Sequence, residues 1–388
     1  MNKIRVVHHS NQLGLGGTEK VMQLFCKYLD KERFDVYALA PKYPVARYKL
    51  WINGVKSFLG QTKARERAER YKLNHARAPV FTEILGLDKV ILYQPQELAG
   101  IMRKIKPHIL HVHHSGVSDP PLNQPEIVDP IPLLFTVNMF GYQGKPEHQR
   151  KLTRIIFPSQ WLKEMGAPWS KKDPRCTLLY CPIEKPATEQ NLRSELGIDP
   201  QTFVIGRIGR NADDIYDPIS LRAYKEIESD LTLFLAVAPP PRMKADAQAF
   251  GIRRIRYLEP TVDELYLSKF YNTLDAFAHA RLDGETFGCV IAEAMKHSLP
   301  ILTHRSHVRN SQLELVDDSC GFITNQNDWQ AYAKALLQLR DHPSERKQMG
   351  KNALAKALKF YEAGTITQKL EEMYLEELQK KGIYQRRF

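Results

Sequence analysis

No apolar run in the 388 residues approaches the roughly 18 that a membrane-spanning helix needs. The chain starts Met1-Asn2-Lys3-Ile4-Arg5 and goes straight into a strand pattern, with no signal-peptide core. Cysteine is scarce: Cys26, Cys176, Cys181, Cys289 and Cys320 are odd in number and scattered. This argues against a disulfide framework and for reduced thiols in a cytoplasmic setting. Cys176 and Cys181 alone make no zinc site. Neither a P-loop nor a G-x-G-x-x-G is present. The basic residues are not interleaved with aromatics, and no RNA- or DNA-binding module signature stands in the chain. No nucleic acid partner is expected.

What is present is length, uneven charge and one dense stretch. At 388 residues the chain exceeds what a single core usually organises, so two domains of under 200 residues each are expected. Residues 1–185 hold 29 Lys and Arg against 16 Asp and Glu, a net of +13, while the remainder holds 27 against 28, a net of −1. The basic character belongs to the first half. It is either a plain solubilising surface or a surface for an anionic partner such as membrane headgroups.

The dense stretch is Asp283-Gly284-Glu285-Thr286-Phe287-Gly288-Cys289-Val290-Ile291-Ala292-Glu293-Ala294-Met295. Val290, Ile291, Ala294 and Met295 repeat at helical spacing, which predicts a buried amphipathic helix. Glu285 and Thr286 fall where it should start, and Gly288 leaves backbone there uncovered. Free N–H groups and the positive end of a helix dipole suit a phosphate or a transferring group. Eight residues are a little over two turns, so Glu293 is expected near the helical face of Glu285 and about two turns deeper. The plainer reading makes Glu285 a capping acid and Glu293 a solvated helix residue.

Along the rest of the chain, Lys3–His9 reads as a strand running into Gly14-Leu15-Gly16-Gly17-Thr18, with Thr18 as N-cap of a helix marked by Val21, Leu24, Phe25 and Tyr28. Strand, Gly-rich turn and helix start are the general geometry for cradling phosphate. Phe34–Ala40 is a second strand. Lys63–Leu73 is strongly basic with few apolar residues, either a solvated face or a surface for acidic headgroups. Ile109–His114 is a strand with His111 and His113 on one face and His114 on the other. The three histidines lack an acidic or cysteine companion at ligand spacing, so no metal is expected. A Pro-rich loop spans Ser118–Pro130. Leu179–Pro186 reads as the inter-domain linker, stiffened by two prolines. Strands over 203–210, 231–238, 255–258 and 276–279 alternate with helices, with Asp217 as an N-cap before Pro218. Two such series argue for two doubly wound parallel sheets. The tail is helical over 329–339, 344–361 and 366–381.

The layout around residues 283–303 resembles the second domain of family 4 glycosyltransferases, retaining enzymes of the GT-B fold. Their segment reads roughly E-x-F-G-x-x-x-x-E-A-M, filled here by Glu285, Phe287, Gly288, Glu293, Ala294 and Met295. The resemblance implies two Rossmann-like domains facing a cleft: 1–183, joined by a crossing helix at 365–388, and a nucleotide-sugar-binding 184–364. It implies transfer of a sugar from a nucleotide-diphosphate donor to an acceptor hydroxyl, in glycan or glycolipid synthesis. No cofactor or metal is implied beyond the nucleotide-sugar co-substrate. Glu285 would contact and orient the donor sugar rather than attack it. His113, with His114 as runner-up, would face that sugar from the first domain. Glu293 would accept the ribose hydroxyls. Backbone near Phe287, Gly288 and Cys289, with Gly16, Gly17, Arg207 and Arg210, would hold the diphosphate. The family's diphosphate-binding Lys falls at Ile215 or Tyr216, which carry no charge. Arg207 replaces it only if the strand ends before it; otherwise Arg207 is a structural salt-bridge residue. A sugar-nucleotide epimerase or hydrolase, or a catalytically weak nucleotide-sugar-binding protein, are the rival readings. The setting would be cytoplasmic, with peripheral membrane contact as a further option.

Overall fold

A computed structural model describes residues 3–42, 74–114, 121–122, 124–138, 150–166 and 171–384. The basic segment 63–73 and residues 118–120 of the Pro-rich loop lie outside the described residues, as does the side chain of His114. Two compact units emerge: Met1–Pro158 with Gly166–Leu179 and Ala363–Phe388, and Ser159–Met165 with Tyr180–Glu362. Among the described residues no helix is long and apolar enough to cross a membrane.

The strands run β1 (Ile4–Ser10), β2 (Phe34–Pro41), β3 (Val90–Tyr93), β4 (Ile109–His114), β5 (Leu133–Asn138), β6 (Arg154–Phe157), β7 (Cys176–Leu178), β8 (Phe203–Ile208), β9 (Thr232–Val237), β10 (Ile255–Leu258), β11 (Ala276–Ala278), β12 (Ile301–Arg305) and β13 (Gly321–Asn325). The helices are α1 (Gly17–Tyr28), α2 (Ala78–Leu85), α3 (Leu98–Ile105), α4 (Pro125–Val128), α5 (Ile219–Ile227), α6 (Pro241–Ala249), α7 (Glu264–Thr273), α8 (Cys289–Lys296), α9 (Gln312–Leu315), α10 (Trp329–Asp341), α11 (Pro343–Tyr361) and α12 (Ala363–Lys380).

The first unit is a parallel sheet in the order β3-β2-β1-β4-β5-β6-β7. Parallel strands covered on both faces read as near-continuous apolar runs, and Ile109, Leu110 and Val112 of β4 are wholly buried. Helix α1 starts at Gly17 with Gly16 as N-cap, not at Thr18. No side chain caps it by a hydrogen bond; instead the Glu19 carboxylate folds back so far that a Cβ on Gly16 would overlap it. A negative group in the first turn complements the helix dipole. Helix α12 buries Ile366, Leu370, Tyr374 and Leu378, one apolar residue every fourth position. Glu377 pairs with Arg154 at 2.7 Å, and Glu371 accepts the Asp30 N–H at 2.7 Å.

The second unit is a parallel sheet in the order β10-β9-β8-β11-β12-β13, which reverses direction between β8 and β11. Its core packs Tyr216, Tyr224, Phe234, Leu302, Tyr332 and Leu336. Strand β9, Thr232–Val237, is buried at every position. Asp217 accepts the Ile219 N–H at 3.0 Å, and α5 itself begins one residue later than the sequence suggests, with Pro218 as cap. In a sheet of this winding, the loops at the carboxyl ends of strands near the reversal are where ligands bind.

Inside the first unit, His8 of β1 and His111 and His113 of β4 share one face, against Phe25 of α1. The Nδ1 of His8 lies 2.9 Å from His113 Nε2, and His111 Nδ1 is hydrogen-bonded to the Tyr374 hydroxyl. Burial, with a smaller push from Lys31, drives the His8 pKa down to about 3; burial likewise holds His111 well below the ordinary range. An unfolded histidine titrates near 6.5. Between about pH 6.5 and 3 the unfolded chain therefore binds more protons than the folded one, and stability rises with pH through that window. Acidification from pH 7.5 to 5 should lower the denaturant midpoint. A midpoint that stays flat or rises over that range would contradict neutral, buried rings.

Candidate functional site

Strand β11 ends at Ala278, and the chain then runs through His279-Ala280-Arg281-Leu282-Asp283-Gly284-Glu285-Thr286-Phe287-Gly288 before α8 begins at Cys289. Gly288 is the N-cap with φ 105°, and Gly284 has φ 64°. Left-handed backbone at these two points curls the loop and ends it ahead of the helix. The expectation that Glu285 opens the helix is thereby corrected. Glu285 lies in the loop, only Glu293 is helical, and the two carboxylates share no helical face.

The loop is pinned from outside. Glu285 N–H donates to Gln312 Oε1 at 3.1 Å, and its carbonyl accepts from Ser311 N–H at 3.1 Å. The Ser159 hydroxyl donates to the Thr286 carbonyl at 2.8 Å. Glu314 accepts the N–H groups of Gln160 and Trp161, which ties that short segment to the second unit. Phe287 packs inward, edge-on to Tyr361 at 5.3 Å. The residue is 1% exposed, so Phe287 is a core anchor of the loop.

The Glu285 side chain, 13% exposed, places Oε1 2.9 Å from His279 Nε2 and 3.7 Å from Arg281 Nε. Burial alone would raise its pKa. The positive charge of Arg281 and the His279 hydrogen bond, helped by Arg210, outweigh that and hold it below the ordinary carboxylate range. The result is an ionised carboxylate in a largely covered place. Arg281 grips Asp283 through two hydrogen bonds of 2.9 Å, and Arg309 reaches the same carboxylate at 2.7 Å. His279, Arg281, Asp283, Arg309 and Gln312 did not stand out in the sequence. The one signal available was Arg281, four residues before Glu285 and two before Asp283.

Among the described residues, the N–H groups of Gly288, Cys289 and Val290 have no hydrogen-bond acceptor. They form the positive end of α8. Cys289 is half-buried there, beside Cys181, whose thiol is pushed up first by burial and then by that neighbour. One turn further in, Glu293 accepts a hydrogen bond of 2.9 Å from the Tyr271 hydroxyl.

Arg207 lies on β8, which stays paired through Ile208, so the strand does not end before it. Its guanidinium is 3% exposed and sits over the Tyr216 ring at 5.5 Å, with Nη1 3.8 Å from Met243 Sδ. No carboxylate lies within 4 Å of it among the described residues. It is thus a buried cation on an aromatic face, not the structural salt-bridge residue offered as the alternative. Burial lowers its pKa to about 10. Tyr216, at the position of the missing Lys, is the face it rests on, and its backbone bridges to Arg281. Arg210, two residues past the strand, is exposed.

Within the first unit, Gly16 and exposed Gly17 stand at the start of α1, where Glu19 already brings a carboxylate. His113 is wholly buried beside His8 and stacked on His111 at 4.6 Å. Because side chains alternate along β4, its ring lies on the same face as that of His111.

Residues 219–356 match the family described as glycosyl transferases group 1. Over 217 residues the chain is 26% identical to the D-inositol 3-phosphate glycosyltransferase of Corynebacterium glutamicum (strain R), covering 53% of this chain and 50% of that protein. It is 23% identical over 181 residues to the D-rhamnosyltransferase WbpZ of Pseudomonas aeruginosa, 46% of each. The chain thus matches about half the length of these curated relatives. Among solved structures, HepE of Anabaena in complex with UDP and glucose superposes with a TM-score of 0.68 at 16% identity, covering 96% of this chain and 99% of that one. A glycosyltransferase from Rickettsia africae ESF-5 gives 0.70 at 13% identity, covering 97% and 99%. At these identities the likeness speaks to fold: two parallel-sheet, Rossmann-like units as in GT-B glycosyltransferases.

The loop geometry makes Gly284 irreplaceable. A Cβ there would overlap the Arg309 carbonyl oxygen in a left-handed conformation that L side chains resist. Gly284→Ala should destabilise the second unit by about 1–3 kcal/mol and shift Glu285. A variant with wild-type denaturation and wild-type donor binding would show that the loop is not built this way.

Proposed function

We propose that this chain, whose residues 219–356 match the family of group 1 glycosyl transferases, moves a sugar from a nucleotide-diphosphate donor to an acceptor hydroxyl with retention of anomeric configuration. The observation that carries the reading is the ionised Glu285, held by His279 and Arg281 just ahead of unpaired helix N–H groups. A carboxylate accepts hydrogen bonds from sugar hydroxyls. Helix N–H groups next to it take the negative charge of a diphosphate.

As the glycosidic C–O bond breaks, its electron pair goes to the leaving phosphate. Groups fixed in advance where that charge grows lower the barrier most. The N–H groups of Gly288, Cys289 and Val290 would meet that charge, and exposed Arg210 adds a full positive charge, with buried Arg207 contributing its field through the interior rather than by direct contact. In this reading the arginines supply the charge that a metal would otherwise bring, and transfer is metal-independent. Glu285 orients the sugar and Glu293 accepts the ribose hydroxyls. The acceptor is a glycan, glycolipid or other hydroxyl compound. HepE holds UDP and glucose, which makes a UDP-sugar the first donor to test.

Glu285→Gln keeps shape and loses charge. It should lower kcat by about a hundredfold or more with donor affinity nearly kept. Glu293→Gln should instead weaken donor binding about tenfold or more, the scale of one charge-assisted hydrogen bond. Steady-state kinetics and calorimetric titration of UDP, with NMR of the product, separate the cases. Two near-native variants would return both residues to ordinary helix and loop acids. Free sugar or an epimer as product would replace transferase by hydrolase or epimerase, and donor binding without turnover would leave a nucleotide-sugar-binding protein.

The net +13 of residues 1–185 supports a second, weaker contact, with an anionic membrane surface. Exposed charge is screened over about 8 Å at physiological salt. Co-sedimentation with phosphatidylserine-containing vesicles should appear at low salt and vanish at high salt. Absence at low salt would leave the charge as solubility.

A further inference from the structure

The two oxygens of Glu285 are not equivalent. Oε1 meets His279 Nε2 at 2.9 Å, with Arg281 Nε 3.7 Å away. Oε2 makes no hydrogen bond to the protein among the described residues. The carboxylate is thus gripped by one oxygen, and the direction in which the other faces depends on that grip.

The gripping imidazole is itself held. His279 follows β11, whose pairing with β12 sets Phe277 beside Ile301 and Ala278 beside Leu302. One step further in that register brings His279 beside Thr303, and the His279 N–H donates to the Leu302 carbonyl at 2.8 Å. Matched positions on neighbouring parallel strands present their side chains on the same face. Thr303 Oγ1 accordingly lies 3.2 Å from His279 Nδ1, the one side-chain hydrogen bond that Thr303 makes among the described residues. Thr303 is 0% exposed and His279 4%. The Tyr332 hydroxyl, at 3.1 Å from the Leu302 carbonyl and 3.4 Å from that of His279, pins the backbone on both sides of the pair.

We infer that Thr303 is a positioning residue for the sugar transfer proposed above, on which this role rests: it fixes the His279 ring, which fixes Glu285 so that Oε2 meets a hydroxyl of the donor sugar. Hydrogen accounting sets the direction of each bond. An ionised carboxylate only accepts, so Nε2 carries the ring hydrogen and donates it to Glu285. In the neutral ring Nδ1 is then left with a lone pair, and the Thr303 hydroxyl donates to it. Valine has nearly the shape of threonine and no hydrogen to give. A buried Nδ1 facing a methyl group is an unsatisfied acceptor. The ring relieves it by turning, which takes Nε2 away from Oε1 and lets the carboxylate swing. The nucleotide part of the donor does not feel this change. The sugar does, because its rate of reaction depends on how it is oriented. The logic is that of a functional side chain aligned by a second group that a third group holds.

Two measurements on the full chain test the assignment. Nitrogen-15 NMR of the unliganded protein, with the His279 signals identified by their loss in His279→Gln, should find hydrogen on Nε2 and none on Nδ1. A ring with hydrogen on Nδ1 would overturn the proposal whatever the activity. Turnover of a UDP-sugar, calorimetric titration of UDP and denaturation are then compared for Thr303→Val and Thr303→Ser. Thr303→Val should lower kcat about three- to tenfold, the scale of one neutral hydrogen bond, with UDP affinity unchanged. Thr303→Ser keeps the hydroxyl and should keep most of kcat. Wild-type kcat in Thr303→Val, or a Thr303→Ser variant that folds and is equally slow, would remove Thr303 from the mechanism. A wild-type chain that turns over no donor, yet shows hydrogen on Nε2 alone, would remove the transferase reading and leave the Thr303–His279–Glu285 alignment in place.

Discussion

The second unit depends on one pairing, the Glu285 carboxylate against His279 and Arg281. A carboxylate this covered would ordinarily prefer to be neutral. It stays charged because a nearby guanidinium and an imidazole compensate for lost water. The arrangement needs the loop to bend twice, at Gly284 and Gly288, and it needs Gln312, Ser311 and Ser159 to hold the backbone still. The carboxylate is therefore preorganised in the loop that follows β11, three residues before the N-cap Gly288. Arg281 is in turn neutralised by Asp283, which Arg309 shares. The local charges form a chain, in which Arg281 and His279 act directly on the ionisation of Glu285.

Arg207 shows the opposite solution. It is a cation in the interior with an aromatic face in place of an anion. Cation–π contact replaces only part of the hydration it loses, and its lowered pKa records the deficit. The Tyr216 ring supports the guanidinium where no carboxylate stands within 4 Å among the described residues.

The first unit buries titratable groups differently again. Burial pushes His8 and His111 toward the neutral form, and the hydrogen bonds of this group run from His8 to His113 and from His111 to Tyr374. Tyr374 belongs to α12, and it packs edge-on to Phe135 at 4.9 Å. The C-terminal helix is thereby bound to the first unit by a polar contact inside an apolar face, with Arg154–Glu377 at the rim.

Much of this was legible from residue order. Parallel sheets announce themselves as buried apolar strands such as Thr232–Val237, and helices such as α12 by one apolar residue every fourth position. The spacing of Glu285, Phe287, Gly288 and Glu293 located the loop and helix of the site, because these are local in the chain. Periodicity could not say that Glu285 sits outside the helix, since that rests on positive φ at two glycines. Nor could it find Gln312 or Ser159, which reach the loop from distant parts of the chain, or show that His279, six residues earlier, folds back onto Glu285. Facing across β1 and β4 likewise requires a register that no single segment contains. Local order in the sequence determined which residues form each strand and helix. Only tertiary packing decided which charges are buried, which are compensated, and therefore which are ionised.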